Sequence, residues 1–487
     1  MNIAIVASEC APFAKTGGLA DVVGALPRYL AERGADVRVF IPKYDSVDEK
    51  KFGLVYQDSL GPFPVRVGGI ARTVYIHTAV IPRSTVPVYF IDCREFYHRG
   101  TIYTEHWDED ERFILLNKAV IELCQRMQWA PDVFHCNDWQ TGLLPVLVKD
   151  NYSWDRMFDR TAFLYSIHNI GYQGRFSFDT IAKAELRPEY GRGGLLDHDN
   201  SFCMMKGGIL FSEVISTVSG TYAQEVLTPE YGSGMQDLLR MRKDDFFGVL
   251  NGIDTDEWDP RTDPHIPFHY SADDLAVKRK NTQALLEKTG MTYRPDVPVI
   301  GIVSRLVPQK GFDMIAEAID GLMQLKAQWV ILGSGDEEYE RLFSAMSRAL
   351  PQTCWSYIGF NNPLAHLIEA GADMFLMPSR YEPCGLNQMY SLRYGTVPIV
   401  RKTGGLADTV HDWHEYQYLG KDGGNGFSFN DANGAALLAT VKRAIDSFHL
   451  PDEWAAIQRN GMREDCSWQH SAGEYIRLYE RAIASRK

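Results

Sequence analysis

Short apolar runs rich in β-branched and aromatic residues recur along the first half of the chain, each bounded by turn-forming residues. Segments with helical spacing separate them; in 110–127, Phe113, Leu116, Val120 and Leu123 recur every three or four residues. Alternation of this kind predicts βαβ units and a doubly wound, mostly parallel α/β sheet. The predicted strands of this sheet are 2–8, 35–42, 86–93, 131–138, 161–169 and 213–219.

The same pattern restarts after a stretch rich in Pro, Asp and Gly at 251–274, which we interpret as a hinge. A chain of 487 residues is also longer than one hydrophobic core normally supports. We therefore predict Rossmann-like domains at 1–245 and 246–465. A C-terminal helix lies within 466–487, and the sequence leaves either domain open as its packing partner, the first being our expectation. The predicted strands of the second sheet are 298–306, 327–336, 354–360, 372–380 and 396–403.

Composition and net charge limit the kinds of molecule that we expect this protein to bind. A formal net charge of -13 without a basic stripe makes nucleic acid an unlikely ligand. The eight cysteines show neither CxxC pairs nor zinc-site spacing, which indicates reduced thiols and a cytoplasmic protein. No apolar run reaches the roughly 18 residues of a membrane span, so we expect no membrane association.

One nine-residue word occurs almost unchanged at both ends of the chain, as KTGGLADVV at 15–23 and KTGGLADTV at 402–410. Each copy follows a predicted strand and leads into a predicted helix, the position where open α/β sheets bind ligands. The pairs Gly17-Gly18 and Gly404-Gly405 let backbone N–H groups approach an anion. The alternative is a helix-start turn that happens to recur. Neither copy is a P-loop or a GxGxxG fingerprint.

Charged residues gather at two strand ends of the second predicted sheet. Arg305 ends one strand and Lys310 follows it, so both side chains can reach a diphosphate, although exposed cations are usually just solvated. Glu382 precedes Pro383, and Cys384-Gly385-Leu386 then leads into a helix, which places a carboxylate beside an anion-binding helix start. The alternative role of Glu382 is to complement the helix dipole.

Two polar clusters end neighbouring strands of the first predicted sheet. His135, Asn137 and Asp138 close one strand, and His168 with Asn169 closes another. A single strand-end histidine is usually structural, but two clusters at one sheet edge supply the donors and acceptors that sugar hydroxyls need. We therefore predict a polyol-binding wall.

Aromatic side chains near these clusters offer surfaces for a sugar ring. Tyr97, Trp139 and Tyr172 are candidates, while most other aromatic residues are expected in the core.

The chain resembles bacterial glycogen synthases and plant starch synthases along essentially its full length. The words that carry this resemblance stand in the family's order: KTGGLADVVGALP, HCNDWQTGLLP, SIHNIGYQG, VLNGIDTDEWDP, SRLVPQKG, EPCGLNQMYSLRYGT and KTGGLADTV. The resemblance implies a GT-B glycosyltransferase, with two Rossmann-like domains facing across a cleft that closes around the substrates.

The resemblance also implies roles for individual residues. Lys15, Gly17 and Gly18 match the loop that closes over the donor, Arg305 and Lys310 the pair that holds its diphosphate, and Glu382 the acidic residue at the donor glucose. The other implied contacts are Cys384, Gly385 and Leu386 with sugar and phosphate, His168 and Asn251 with glucose, Asp138 near sugar and acceptor, Tyr357 with adenine, and Gly404 and Gly405 as the second glycine loop. Tyr97 and Trp139 remain acceptor candidates on their aromatic character alone.

The implied reaction moves glucose from ADP-glucose to the non-reducing 4-hydroxyl of an α-1,4-glucan, such as glycogen or a maltooligosaccharide, with retention. Many retaining GT-B enzymes carry a second Glu eight residues after the first, and this position is Tyr390 here. A front-face route without a covalent intermediate therefore fits best. We expect no cofactor and no metal; Asp254-Thr255-Asp256 mimics a DxD metal motif but lies inside the family's NGIDTxxW word.

Two other classes remain. A sugar-nucleotide epimerase of the same fold would bind the donor but would need no acceptor wall. A silent glucan-binding scaffold would have no reason to keep Lys15, Arg305, Lys310 and Glu382 together.

Overall fold

The computed structural model describes residues 1–486 and divides the chain into two compact units. Unit 1 comprises 1–218, 223–252 and the C-terminal segment from 468, and unit 2 comprises 219–222 and 253–467. The division therefore falls after 252 and after 467, where the sequence suggested 245 and 465.

Eleven predicted strands each contain an observed strand. Within residues 1–486 the strands are β1 Asn2–Val6, β2 Asp36–Pro42, β3 Val55–Tyr56, β4 Phe63–Val67, β5 Ile70–Val80, β6 Pro87–Asp92, β7 Val133–Asn137, β8 Ala162–Ile167, β9 Arg175–Phe176, β10 Asp197–His198, β11 Ser201–Cys203, β12 Val214–Thr217, β13 Phe246–Gly248, β14 Val299–Leu306, β15 Gln328–Gly335, β16 Cys354–Ile358, β17 Met374–Met377, β18 Val397–Arg401 and β19 Phe427–Phe429.

The helices alternate with these strands as expected for βαβ units. Over the same residues they are α1 Gly18–Glu32, α2 Glu49–Phe52, α3 Arg94–Tyr97, α4 Glu109–Arg126, α5 Leu144–Lys149, α6 Asp179–Ala184, α7 Met204–Phe211, α8 Gly220–Glu225, α9 Gln236–Met241, α10 Lys278–Thr289, α11 Phe312–Glu317, α12 Ile319–Gln324, α13 Glu337–Ala349, α14 Asn362–Gly371, α15 Asn387–Tyr394, α16 Gly404–Thr409, α17 Trp413–Tyr418, α18 Gly434–Phe448, α19 Pro451–Arg463 and α20 Trp468–Arg486.

The main sheet of unit 1 has the strand order β13-β12-β8-β7-β1-β2-β6-β5-β3, with β4 paired to β5. Strands from β13 to β6 are parallel, and the β3–β5 region adds antiparallel strands at one edge. Because the chain runs outward from β1 in one direction and from β7 in the other, the topological switch point lies between β1 and β7. Ligands bind beyond the carboxyl ends of the strands at such a point.

The sheet of unit 2 is entirely parallel, with the order β16-β15-β14-β17-β18-β19. Side chains alternate between two apolar cores; Trp329 and Ile331 enter one core, and Val330 and Leu332 the other. A strand buried on both faces must be apolar throughout, which is why its run is continuous. Here the switch point lies between β14 and β17.

The C-terminal helix α20 packs within unit 1. The hydroxyl of Tyr479 lies 2.9 Å from Nδ1 of His135 on β7, and Ser471 donates to the carbonyl of Leu250 at 2.6 Å. His135 is fully buried and also lies 2.7 Å from the hydroxyl of Ser166. The expectation that His135 belongs to a polyol-binding wall is therefore wrong, because both ring nitrogens contact side chains of the protein, one on α20 and one on the neighbouring strand β8.

Candidate functional site

Asp138 stands at the switch point of unit 1 in a strained backbone conformation. It follows β7 with φ 58° and ψ -178°, a region that is almost confined to glycine. Its Oδ1 accepts the backbone N–H of His168 at 2.8 Å, which joins the ends of β7 and β8. Burial, with a smaller contribution from the charge of Glu9, raises the pKa of the Asp138 carboxyl to about 7. Backbone strain and a shifted pKa are both typical of functional positions.

His168 presents an unused acceptor. The amide nitrogen of Asn137 donates to the carbonyls of Val6 and His135, so its Oδ1 faces His168 Nε2 at 2.9 Å and takes the ring proton. Nδ1 of His168 is then a lone pair, and it is buried without a hydrogen-bond partner among residues 1–486. Burial lowers the pKa of His168 to about 4, so the ring is neutral near pH 7. This atom can accept a sugar hydroxyl.

Asn251 offers a second such atom. The residue is 5% exposed, and its Oδ1 is buried with no hydrogen-bond partner in the described chain. Such an atom can accept a hydrogen bond from a ligand hydroxyl.

Tyr97 and Trp139, the two aromatic residues predicted to contact the acceptor, lie in different environments. Tyr97 is fully buried on α3 and donates its hydroxyl to the carbonyl of Arg112 at 2.8 Å. The expectation that Tyr97 offers a stacking surface to a sugar ring is therefore wrong, because this ring packs against Tyr44 in the core. Trp139 follows Asp138 and packs edge-on against Phe113, with ring centroids 5.0 Å apart.

A cavity of about 450 Å³ opens beside Trp139 in unit 1. Gly174, at φ 63°, lies so close to the indole that a Cβ there would stand 2.4 Å from the ring. Tyr172 is 58% exposed, as a stacking candidate must be. The cavity is lined by Trp139, Gly171, Tyr172, Gln173, Gly174, Arg175 and Ser233.

The first glycine turn connects β1 to α1, and an internal carboxylate already occupies it. Glu9, 3% exposed, accepts hydrogen bonds from the N–H groups of Thr16 and Gly17, the latter at 3.1 Å, and from the Thr16 hydroxyl at 2.8 Å. The expectation that Gly17 offers its N–H to an anionic ligand is therefore wrong in this structure. Lys15 remains half-exposed and pairs with Asp21 at 2.6 Å.

The switch point of unit 2 brings together the charged residues that the sequence singled out. Nζ of Lys310, after β14, lies 2.6 Å from Oε2 of Glu382, after β17. Ser379 donates its hydroxyl to the same oxygen at 2.9 Å. Arg305 is exposed near the end of β14, and its guanidinium has no ion pair among residues 1–486. Glu382 is 6% exposed, so two donors neutralise a carboxylate that would otherwise be costly to bury.

The loop after Glu382 rests on the second glycine turn. Gly405 donates its N–H to the carbonyl of Glu382 at 3.1 Å. A Cβ on Gly404 would lie 1.9 Å from the Glu382 carbonyl oxygen, and one on Gly405 would lie 2.0 Å from that of Cys384. The amide of Gln388 donates to the carbonyls of Cys384 and Gly385. These glycines are therefore required for close packing.

Residues 384–386 lead directly into α15, which begins at Asn387. The first N–H groups of a helix have no partner within it and favour negative charge. This helix start lies next to Glu382 in the chain.

Tyr390, where other retaining enzymes carry a glutamate, belongs to a stack of three rings. The Trp258 indole lies 3.8 Å from the rings of both Tyr390 and His366, almost parallel to each. Tyr357, near the end of β16, is 40% exposed, and its ring lies 6.4 Å from that of Trp355 at an interplanar angle of 26°.

Neither a metal cluster nor a membrane-spanning helix is found in the described chain. No three His, Cys, Asp or Glu side chains of residues 1–486 are grouped to hold a metal ion. Over the same range no helix is long and apolar enough to cross a membrane. Oδ1 of Asp254 accepts the N–H groups of Asp256 and Glu257, so the DxD-like string forms a local turn.

Two Rossmann-like units, with Lys310 and Glu382 paired at the switch point of the second, are the arrangement of a glycosyltransferase of the GT-B class. Comparison with known proteins gives the family. Residues 2–241 match the starch synthase catalytic domain, and residues 292–460 match the glycosyl transferases group 1.

Relatives span the whole chain. It is 44% identical to a glycogen synthase of Desulforudis audaxviator (99% of this chain, 97% of the relative) and 43% identical to one of Moorella thermoacetica (100% and 98%). The catalytic domain of starch synthase IV from Arabidopsis thaliana, bound to ADP and acarbose, superposes with a TM-score of 0.91 at 34% identity, covering 99% of both chains. The chain belongs to the glycogen and starch synthase family.

The sequence analysis did not predict Glu9 and Ser379, which form hydrogen bonds with the first glycine turn and with Glu382. Glu9 lies between the first strand and the first glycine turn, and Ser379 lies three residues before Glu382. Both occupy strand-to-helix connections, so a search of those connections for every polar side chain would have found them.

Proposed function

We propose that this protein transfers glucose from ADP-glucose to the 4-hydroxyl at the non-reducing end of an α-1,4-glucan, with retention, and so elongates glycogen or a related glucan. The observation that carries the proposal is the Lys310–Glu382–Ser379 cluster at a switch point in a chain of this family. Its relatives are named glycogen synthases, and the structural neighbour binds ADP.

Unit 2 supplies the donor site in this proposal. Arg305 and Lys310 hold the diphosphate, and the start of α15 adds N–H groups beyond residues 384–386. Because Lys310 already contacts Glu382, a diphosphate bound to Lys310 lies close to that carboxylate. Glu382 then faces the donor sugar, and Tyr357 stacks on the adenine.

Unit 1 supplies groups for the sugars. The free lone pair of His168 and Oδ1 of Asn251 accept glucose hydroxyls, and Asp138 lies near sugar and acceptor. The cavity beside Trp139 has polar and aromatic walls and takes glucose units of the acceptor chain.

The reaction breaks the bond between C1 of glucose and the β-phosphate oxygen, and it forms a bond between C1 and O4 of the acceptor. The departing phosphate takes the O4 proton, and ADP leaves. In this proposal Arg305, Lys310 and the helix start stabilise the charge that develops on ADP. Glu382 is hydrogen-bonded to Lys310 and Ser379, and it steadies positive charge on the sugar without forming a covalent bond.

A matrix of donors and acceptors tests the proposal. ADP-glucose with a maltooligosaccharide should give chains lengthened by one α-1,4-linked glucose and release ADP, whereas ADP-glucose alone should persist. Conversion of the donor without acceptor would favour an epimerase. Glucan binding without ADP release would favour a scaffold.

We also place this activity in the cytoplasm, without a cofactor. None of the eight cysteines is joined in a disulfide within the described chain, as is usual for a reducing compartment. The reaction itself needs only the nucleotide sugar and the glucan.

A further inference from the structure

Glu9 joins three segments of unit 1 through one buried carboxylate. Its Oε2 accepts the N–H groups of Thr16 and Gly17, while its Oε1 accepts the hydroxyls of Thr16 and Tyr103. The Tyr103 hydroxyl also lies 2.8 Å from that of Ser8, the residue before Glu9. Four donors on two oxygens satisfy the carboxylate, so its burial is tolerated.

The geometry of these bonds restricts the residue before Thr16. The Thr16 N–H belongs to the peptide plane that links Lys15 to Thr16, so holding this N–H fixes the plane that carries the Lys15 Cα and thereby restricts where the Lys15 side chain leaves the backbone. The helix start has no side-chain cap from its own N-cap residue, Gly17. Glu9, three residues beyond β1 and close to the switch point of the sheet, binds the N–H groups of Thr16 and Gly17, the two residues that precede the first helical residue Gly18.

Tight packing does not explain why the turn needs such an anchor. A Cβ built on Gly17 would meet nothing within 4 Å. The turn therefore has open space around it and depends on hydrogen bonds for its shape. The Lys15 side chain is 49% exposed, and its ammonium pairs with Asp21 at 2.6 Å.

We propose that Glu9 is a positioning residue for glucosyl transfer: its carboxylate takes the place of an anionic ligand at the start of α1 and thereby fixes the 15–18 turn and the placement of Lys15. The inference rests on the proposed function for the role of Lys15 toward the donor. In this inference the N–H groups of the first glycine turn bind the protein's own carboxylate, and the Lys15 ammonium is the group of the turn that contacts the substrate.

Amide hydrogen exchange tests the anchoring without any activity. In Glu9→Gln, one carboxylate oxygen becomes a donor that faces other donors, so peptides covering 10–20 should exchange at least about tenfold faster at Thr16 and Gly17. Thr16→Ala, which removes a single bond to Glu9, should change exchange in the same direction by less. Glu32→Gln, the same substitution at the far end of α1 in an exposed pair with Arg28, is the matched control and should leave these amides protected. Unchanged exchange in Glu9→Gln would overturn the proposal.

A double-mutant cycle tests the route to function. Glu9→Gln alone should lower kcat/KM for ADP-glucose by about 10- to 100-fold, as expected for losing charge-assisted hydrogen bonds. In a Lys15→Met background the same change should cost less than about threefold, because the residue it positions is gone. Full additivity would show a general structural role and refute the positioning role. A wild-type protein that transfers no glucose would instead refute the proposed function, and the exchange result would still decide whether Glu9 anchors the turn.

Discussion

Replacing Glu382 by Gln should affect stability and turnover in separable ways. The Gln side chain can still accept from Ser379, but it removes the counter-charge of Lys310, whose side chain is only 18% exposed. Breaking a fully buried pair costs about 3 to 5 kcal/mol, and the partial exposure of Lys310 lets water recover part of this, so we expect about 1 to 3 kcal/mol. The double variant Lys310→Met/Glu382→Gln has no unpaired charge and should recover most of that loss.

Turnover should behave differently from stability. If Glu382 steadies the sugar in the transition state, Glu382→Gln should lower kcat by about 10²- to 10³-fold, the effect of losing one preorganised electrostatic group. The double variant should be no more active, because both groups act on the donor. Denaturant unfolding and ADP release measure the two effects. Near-normal turnover in Glu382→Gln would refute the role of Glu382, and equal destabilisation of single and double variants would refute the energetic argument for the pair.

Three further predictions follow from individual residues. Burial raises the pKa of Asp138 to about 7, so between about pH 4 and pH 7 the folded protein binds a proton that the unfolded chain has released, and stability falls as pH rises. The free energy of unfolding of Asp138→Asn should therefore increase relative to wild type as pH rises through this window. A difference that does not depend on pH would contradict the pKa shift. Gly405→Ala should lower the free energy of unfolding by about 1 to 3 kcal/mol, since its Cβ would lie 2.0 Å from the Cys384 carbonyl oxygen, whereas Gly17→Ala should be nearly neutral in stability. Equal effects of the two substitutions would show that this clash is relieved without cost. Wild type should prefer ADP-glucose to UDP-glucose by at least about tenfold in kcat/KM, and Tyr357→Ala should narrow that preference; an unchanged ratio would remove Tyr357 from the base contact.

The apolar pattern predicted eleven parallel strands, most of which are buried on both faces. It missed the short parallel strands β13 and β19 and also β3, β4 and β5, whose exposed positions break the apolar runs. The signal for β4 and β5 was Gly68-Gly69, both at positive φ, a two-residue turn between strands. The pattern also extended one strand to residue 138, because it cannot show that Asp138 leaves the sheet through a strained conformation.

Side-chain direction limited the prediction of the site. Lys310 and Glu382 were predicted from strand ends, since parallel strands end at one edge and adjacent ends must lie close. Tyr97 and His135 also lie near strand ends or motifs, yet their side chains turn inward. Whether such a residue faces a ligand or the core depends on the packing of segments distant in sequence, such as α20 against His135.

The repeated word KTGGLAD forms a strand-to-helix turn twice, but the two turns differ in conformation and are held by different interactions. Gly17 has a φ of -152°, whereas the matching Gly404 has a φ of 45°. At its first copy the glycine turn is held by a glutamate, because the Glu9 carboxylate binds the N–H groups of Thr16 and Gly17. At its second copy the glycine turn holds a glutamate, because Gly404 and Gly405 admit the backbone of Glu382 and Cys384 at distances that no Cβ allows. The first turn therefore tolerates added volume and requires its anion, while the second requires its glycines. The same motif therefore positions Lys15 in unit 1 and Glu382 in unit 2. Replacing Glu9 should disrupt the first turn, and replacing Gly404 or Gly405 should disrupt the second.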